Sequence, residues 1–173
     1  YIIKNNKLIE EKFIKFENNS GPRHFVIQNN KMYLINELDS TIFVLQLDDS
    51  NPTEIKCRIK VIQKISLLRE NKKLKKDTNI HAAEIKLYKN HIYASNRSEN
   101  TISAYQIDDN GLLKFKEEYS TFGKTPRHFD IKNDILVVGN QDSNTVVIFD
   151  IYNGKLIYKK NLLVPSPNFI CII

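Results

Sequence analysis

Three stretches of this chain superimpose without a gap. "GPRHFVIQNNKMYLINELDSTIFVLQLD" begins at Gly21, "HAAEIKLYKNHIYASNRSENTISAYQID" at His81 and "TPRHFDIKNDILVVGNQDSNTVVIFDIY" at Thr125, so the starts lie 60 and then 44 residues apart. Phe25, Ile85 and Phe129 coincide, as do Asn36, Asn96 and Asn140, and Thr41, Thr101 and Thr145. A second gapless match joins "YIIKNNKLIEEKFIKFENNSGPRHF" from Tyr1 to "YQIDDNGLLKFKEEYSTFGKTPRHF" from Tyr105. One unit thus accounts for almost the whole chain, which restricts the fold to architectures made by repetition.

Each unit reads as four short strands. In the first these are 23–28, 31–36, 41–47 and roughly 56–65. Apolar residues run together or alternate, as in "TIFVLQL" and "TVVIFDI", and are rich in β-branched and aromatic types. The dipeptides Asn29-Asn30, Lys89-Asn90 and Asn133-Asp134 suit two-residue hairpin turns, because Asn and Asp tolerate positive φ. "ELDS", "RSEN" and "QDSN" form the next turns. The segment 60–76 carries the extra length of the longer repeat and reads as a strand followed by a loop insertion, with a short helix as the alternative.

Four strands in a unit of about 40–45 residues indicate an all-β fold, a β-propeller of four-stranded antiparallel blades. The whole of 1–173 is one such domain, with blades starting near 21, 81 and 125 and partial blades at 1–20 and 166–173. Three blades and two pieces leave sheet faces uncovered, which would favour association. The expectation is a C-terminal fragment of a longer propeller rather than a closed four-bladed ring.

Composition sets the remaining bounds. The chain is 41% hydrophobic and 27% charged, ordinary for a globular protein. Much of its +6 net charge sits in "RENKKLKK" at 69–76, where no aromatic residue is interleaved to stack on bases. We read that stretch as a solvated loop and expect no nucleic-acid partner. No apolar run approaches the ~18 residues of a membrane span, and no signal peptide is visible. Cys57 and Cys171 lack metal or redox spacing and suit a reducing, cytoplasmic setting.

The repeat also marks positions that differ. After the shared Asn the units carry Glu37, Arg97 and Gln141. Near their starts they carry Arg23, Ala83 and Arg127, then His24, Glu84 and His128. A residue kept for packing stays constant, whereas one that builds an asymmetric site varies in place. With a two-residue turn, Gln28 opposes Lys31 and Pro22 opposes Glu37, so His24 and Glu37 become diagonal neighbours. By the same rule Glu84 lies near Arg97, and His128 near Gln141. Acids, bases and amides therefore gather at one end of the ring, a constellation suited to holding an anion and moving a proton. Read as structure alone, Glu84–Arg97 is an ion pair, and His24, Arg127 and His128 serve the strands.

At "GPRHF…YLINELDSTIFV", "AAEI…IYASNRSENTISAYQID", "TPRHFDI…LVVGNQDSNTVVIFDI" and "VPSPNFICI" the chain resembles the seven-bladed β-propeller lactonases, from about Tyr1 to its end. The family's usual Pro-Asp-Gly hairpin turn is replaced by Asn-containing turns, and its N-terminal blades, with a histidine used there, are not part of this sequence. The resemblance implies hydrolysis of a small anionic sugar lactone, 6-phosphogluconolactone foremost. The alternatives are reversible lactonisation of a muconate-type diacid or a non-catalytic propeller that binds a partner. It assigns the arginine of "GPRH" to Arg23, the glutamate of "NE" to Glu37 and the arginine of "SNR" to Arg97. Glu37 would take the proton, and the arginines would hold substrate charge. His24, Arg127 and Gln141 are the further candidates for substrate binding. This chemistry calls for no metal or cofactor.

Overall fold

The computed structural model describes residues 2–9, 14–16, 18–48, 58–68 and 81–173. The basic stretch 69–76, most of the insertion that contains it, and Cys57 lie outside the described residues.

Three four-stranded antiparallel sheets follow one another along the chain. The first comprises β3 (Pro22–Gln28), β4 (Lys31–Asn36), β5 (Thr41–Asp48) and β6 (Arg58–Ser66). The second comprises β7 (Ala82–Tyr88), β8 (His91–Asn96), β9 (Thr101–Ile107) and β10 (Leu113–Ser120). The third comprises β11 (Pro126–Lys132), β12 (Ile135–Asn140), β13 (Thr145–Tyr152) and β14 (Lys155–Leu163). A short hairpin, β1 (Ile2–Lys4) with β2 (Lys7–Ile9), precedes them. No α-helix occurs among the described residues, so none there is long and apolar enough to cross a membrane.

The strands take their places as the repeat predicts. Asn29, Lys89, Asn133 and Asp134 adopt positive φ in the hairpin turns, and in the second unit a lysine takes that strained position. The repeated Asn36, Asn96 and Asn140 are fully buried. The Asn36 amide donates to the Thr41 hydroxyl at 2.9 Å, and Asn96 accepts from the Ser98 amide at 3.0 Å. These residues recur because each closes its own turn.

Blades pack face to face through the two-residue alternation of their strands. On β8, Ile92 and Ala94 join a core with Tyr33, Ile35, Ile42 and Val44 of the first blade. Tyr93, between them, points the other way, into a core with Phe129, Leu136 and Phe149 of the third. A polar clip recurs at each seam. Tyr33 donates its hydroxyl proton to the Gly111 carbonyl at 3.1 Å, and Tyr93 to the Gly154 carbonyl at 3.0 Å.

The inner pair of every blade is bulged near its start. The register slips between Pro22 and His24, between Ala82 and Ile85, and between Pro126 and His128. Pro22 therefore opposes Asn36 instead of Glu37, and the Glu37 amide donates to the Gly21 carbonyl at 2.7 Å. The equivalent amides of Arg97 and Gln141 donate to His81 and Thr125 at 2.9 and 3.0 Å. An uninterrupted strand would send Arg23 and His24 to opposite faces. The extra residue breaks that alternation.

The segment 166–173 begins with a bend at Ser166 and forms no ladder. Its Ile170 amide donates to His128 Nδ1 at 3.2 Å and its Ile172 amide to Asp130 at 3.0 Å. Side chains of β11 thus satisfy N–H groups that a strand would offer to a neighbouring backbone.

Candidate active site

The bulges converge on one rim of the blades. Arg23 Nε lies 3.3 Å from Glu37, and Arg97 Nη2 donates to the other Glu37 oxygen. The Arg23 guanidinium also donates to the Ala83 carbonyl at 2.6 Å. Glu37 is thus clamped between two guanidinium groups, one from its own blade and one from the next. Burial alone would raise its carboxyl, but the Arg97 hydrogen bond and the charges of Arg97 and Arg23 together hold it below the usual carboxylate range. Arg23 moves down as well, because burial outweighs the support of Glu37 and Glu84. These two directions pull oppositely on the pair. The geometry favours an ionised one, since a guanidinium stays charged far above neutrality.

The second cluster centres on Glu84, which is 3% exposed. One of its oxygens lies 2.7 Å from His24 Nδ1 and 3.1 Å from His128 Nε2, and the other accepts from the Ile85 amide at 3.1 Å. The within-hairpin pairing expected from the repeat is therefore replaced. Glu84 meets the histidines of the blades on either side, and Arg97 meets Glu37. The reason is the bulge, which shifts each hairpin by one residue and turns its polar side chains toward the adjacent blade. Glu84 is the hub that the sequence pairing missed. Its identity as the one acid in a His–Glu–His series was the available signal.

Arg127 and Gln141 stand apart. Among the described residues neither side chain has a hydrogen bond or ion pair to these clusters, although Arg127 is close enough for its charge to lower Arg23. Gln141 opens a 3-10 turn, Gln141–Ser143.

Two cavities flank the clusters. One of about 310 Å³ is lined by Arg23, His24, Glu84, Lys86 and His128 among others. The other, about 200 Å³, is lined by His81, Arg97, Ser98 and Thr125. Arg97 Nε and His81 Nδ1 are buried and have no hydrogen-bond partner among the described residues. Two further cavities lie at the hairpin-turn rim, and none of the Arg23, Glu37, Arg97, His24, Glu84 and His128 side chains lines them. No group of three or more potential metal ligands occurs among the described residues.

Repeated four-stranded blades with unlike charged residues on one rim define a β-propeller with an inter-blade site. The family model "Lactonase, 7-bladed beta-propeller" matches residues 1–172, and the chain belongs to that family. It is 35% identical over 152 residues to a 6-phosphogluconolactonase of Formosa agariphila, covering 83% of this chain and 40% of that protein. It is 35% identical over 162 residues to a 6-phosphogluconolactonase of Buchnera aphidicola subsp. Acyrthosiphon pisum, covering 89% and 46%. The chain thus spans less than half the length of these curated relatives. A solved structure of a Lactobacillus plantarum protein superimposes with a TM-score of 0.79 at 25% identity, over 88% of this chain and 45% of that one. The periplasmic gluconolactonase of Pseudomonas aeruginosa superimposes with a TM-score of 0.77 at 23% identity, over 89% and 43%, a likeness of fold.

Proposed function

We propose that the chain forms part of a seven-bladed lactonase that hydrolyses 6-phosphogluconolactone to 6-phosphogluconate. The observation that carries this reading is the meeting of Arg23, Glu37 and Arg97 across the seam between two blades. Two fixed cationic groups suit an anionic lactone and the oxyanion formed when its carbonyl is attacked. Arg97 lines the cavity shared with His81 and Ser98, and its buried Nε has no hydrogen-bond partner among the described residues. A phosphate in that cavity would lie beside the fixed charge of the Arg97 guanidinium.

Glu37 takes a different part from the one expected of it. A carboxylate held low by two arginines is a poor proton acceptor, so we assign it the task of aligning them. Arg127 and Gln141 keep at most an outlying role in charge and shape. Cytoplasmic placement belongs to the same reading, since an exposed free thiol such as Cys171 persists best where thiols stay reduced.

The test is a substrate panel with the intact protein: 6-phosphogluconolactone, its unphosphorylated counterpart and a muconate-type diacid. The proposal expects turnover above the spontaneous rate, with the highest kcat/KM for the phosphorylated lactone. Preference for the diacid would assign the arginines to two carboxylates, and partner binding without turnover would make this an interaction module.

A further inference from the structure

We propose that His24 is the proton-accepting group of this site and that Glu84 is its positioning residue. This rests on the lactonase reading above. The Glu84 carboxylate only accepts hydrogen bonds, so the 2.7 Å contact requires the proton of a neutral His24 to sit on Nδ1. The lone pair is then on Nε2, which has no hydrogen-bond partner among the described residues. The His24 side chain is 41% exposed and lines the cavity of about 310 Å³ beside Arg23.

His128 cannot share this part. Its Nδ1 accepts from the Ile170 amide, so its proton is on Nε2 and is donated to Glu84. Both ring nitrogens are occupied and the side chain is only 10% exposed. His128 and the Ile85 amide instead fix the carboxylate, so that its orientation is set before it meets His24. Arg23 Nη1, a donor only, lies 3.3 Å from His24 Nδ1; with the proton on Nδ1 this is proximity of charge rather than a hydrogen bond, and the guanidinium is held by the Ala83 carbonyl and Glu37.

The step balances. Water oxygen bonds to the lactone carbonyl carbon while one water proton passes to His24 Nε2. The carbonyl electrons move to oxygen beside the guanidinium groups. Collapse of the tetrahedral adduct breaks the bond from carbon to the ring oxygen, which takes the proton back from Nε2. The carboxylic acid formed then ionises into solvent, and His24 is restored. The charged or titratable groups that share the cavity with this ring are Arg23 on β3, Glu84 and Lys86 on β7, and His128 on β11, with Asp130 behind them paired to Lys86 at 3.6 Å.

Two measurements on the intact protein test the proposal. Nitrogen-15 NMR of the histidine rings at neutral to mildly alkaline pH should show His24 as the Nδ1–H tautomer, with Glu84→Gln weakening that preference. The Nε2–H tautomer in the wild type would overturn it. In kinetics, His24→Gln should lower kcat about 100-fold with little change in KM and remove the acid limb of the kcat profile. Wild-type kcat and an unaltered acid limb in this exposed-site variant would overturn it too. If the wild type hydrolyses no lactone, the functional reading falls, and the tautomer measurement still decides whether His24 is the oriented base.

Discussion

Arg97, at the start of the turn after β8, donates to Glu37 of the preceding blade, so one ion pair joins two repeats and shapes their common rim. Its partners are only partly exposed, 14% and 32%, and Arg23 reaches the same carboxylate from the other side. Glu37→Gln should therefore cost about 1–2 kcal/mol, since it removes a charge-assisted pair and leaves two guanidinium groups facing each other. Urea unfolding of the intact protein checks this, and an unchanged midpoint would show the clamp to be energetically idle.

The same residue predicts an acid response. Its folded carboxyl lies below the ordinary value of 4.5, so its stabilisation is complete above that pH and is lost as the pH falls through the folded value. Glu37→Gln should flatten this part of the stability profile below about pH 4.5. A variant as acid-sensitive as the wild type in that window would contradict the assignment.

His128 gives a second, higher window. Burial lowers it more than Glu84 raises it, so the unfolded chain takes up this proton first as the pH falls. Stability from the neutral ring is therefore complete above its ordinary value of 6.5 and declines from there down through the folded value. His128→Gln should remove that slope, read as the pH dependence of the unfolding midpoint between neutral and mildly acid solution.

The Tyr–Gly seam offers a test of blade packing apart from the site. Tyr93→Phe deletes one hydrogen bond and should cost about 1 kcal/mol. Gly154→Ala should cost more. Gly154 sits at φ +77°, and an added Cβ would lie 2.3 Å from His91 Nε2. Thermal unfolding of both variants orders them, and the reverse order would contradict this account.

The fold was legible because four strands recur with constant turn residues. Asn36, Asn96 and Asn140 announced themselves as structural by being invariant across repeats, and each is buried. Phe25 shows the limit of such matching. It is 55% exposed, whereas its counterparts Ile85 and Phe129 are buried against the preceding blade. The meeting of Arg23, Glu37 and Arg97 was legible in position but not in partner. A repeat tells which residues share a rim, but a single bulged residue decides which neighbour each one meets. That one-residue slip separated Glu84 from Arg97 and gave it to His24 and His128.

The most direct measurement compares 6-phosphogluconolactone hydrolysis by the intact wild-type protein with that by Arg97→Met, each against the spontaneous rate. The account predicts clear turnover by the wild type and a loss of about 100-fold or more in kcat/KM for the variant. Equal turnover by both proteins would contradict the claim that this inter-blade arginine serves the reaction.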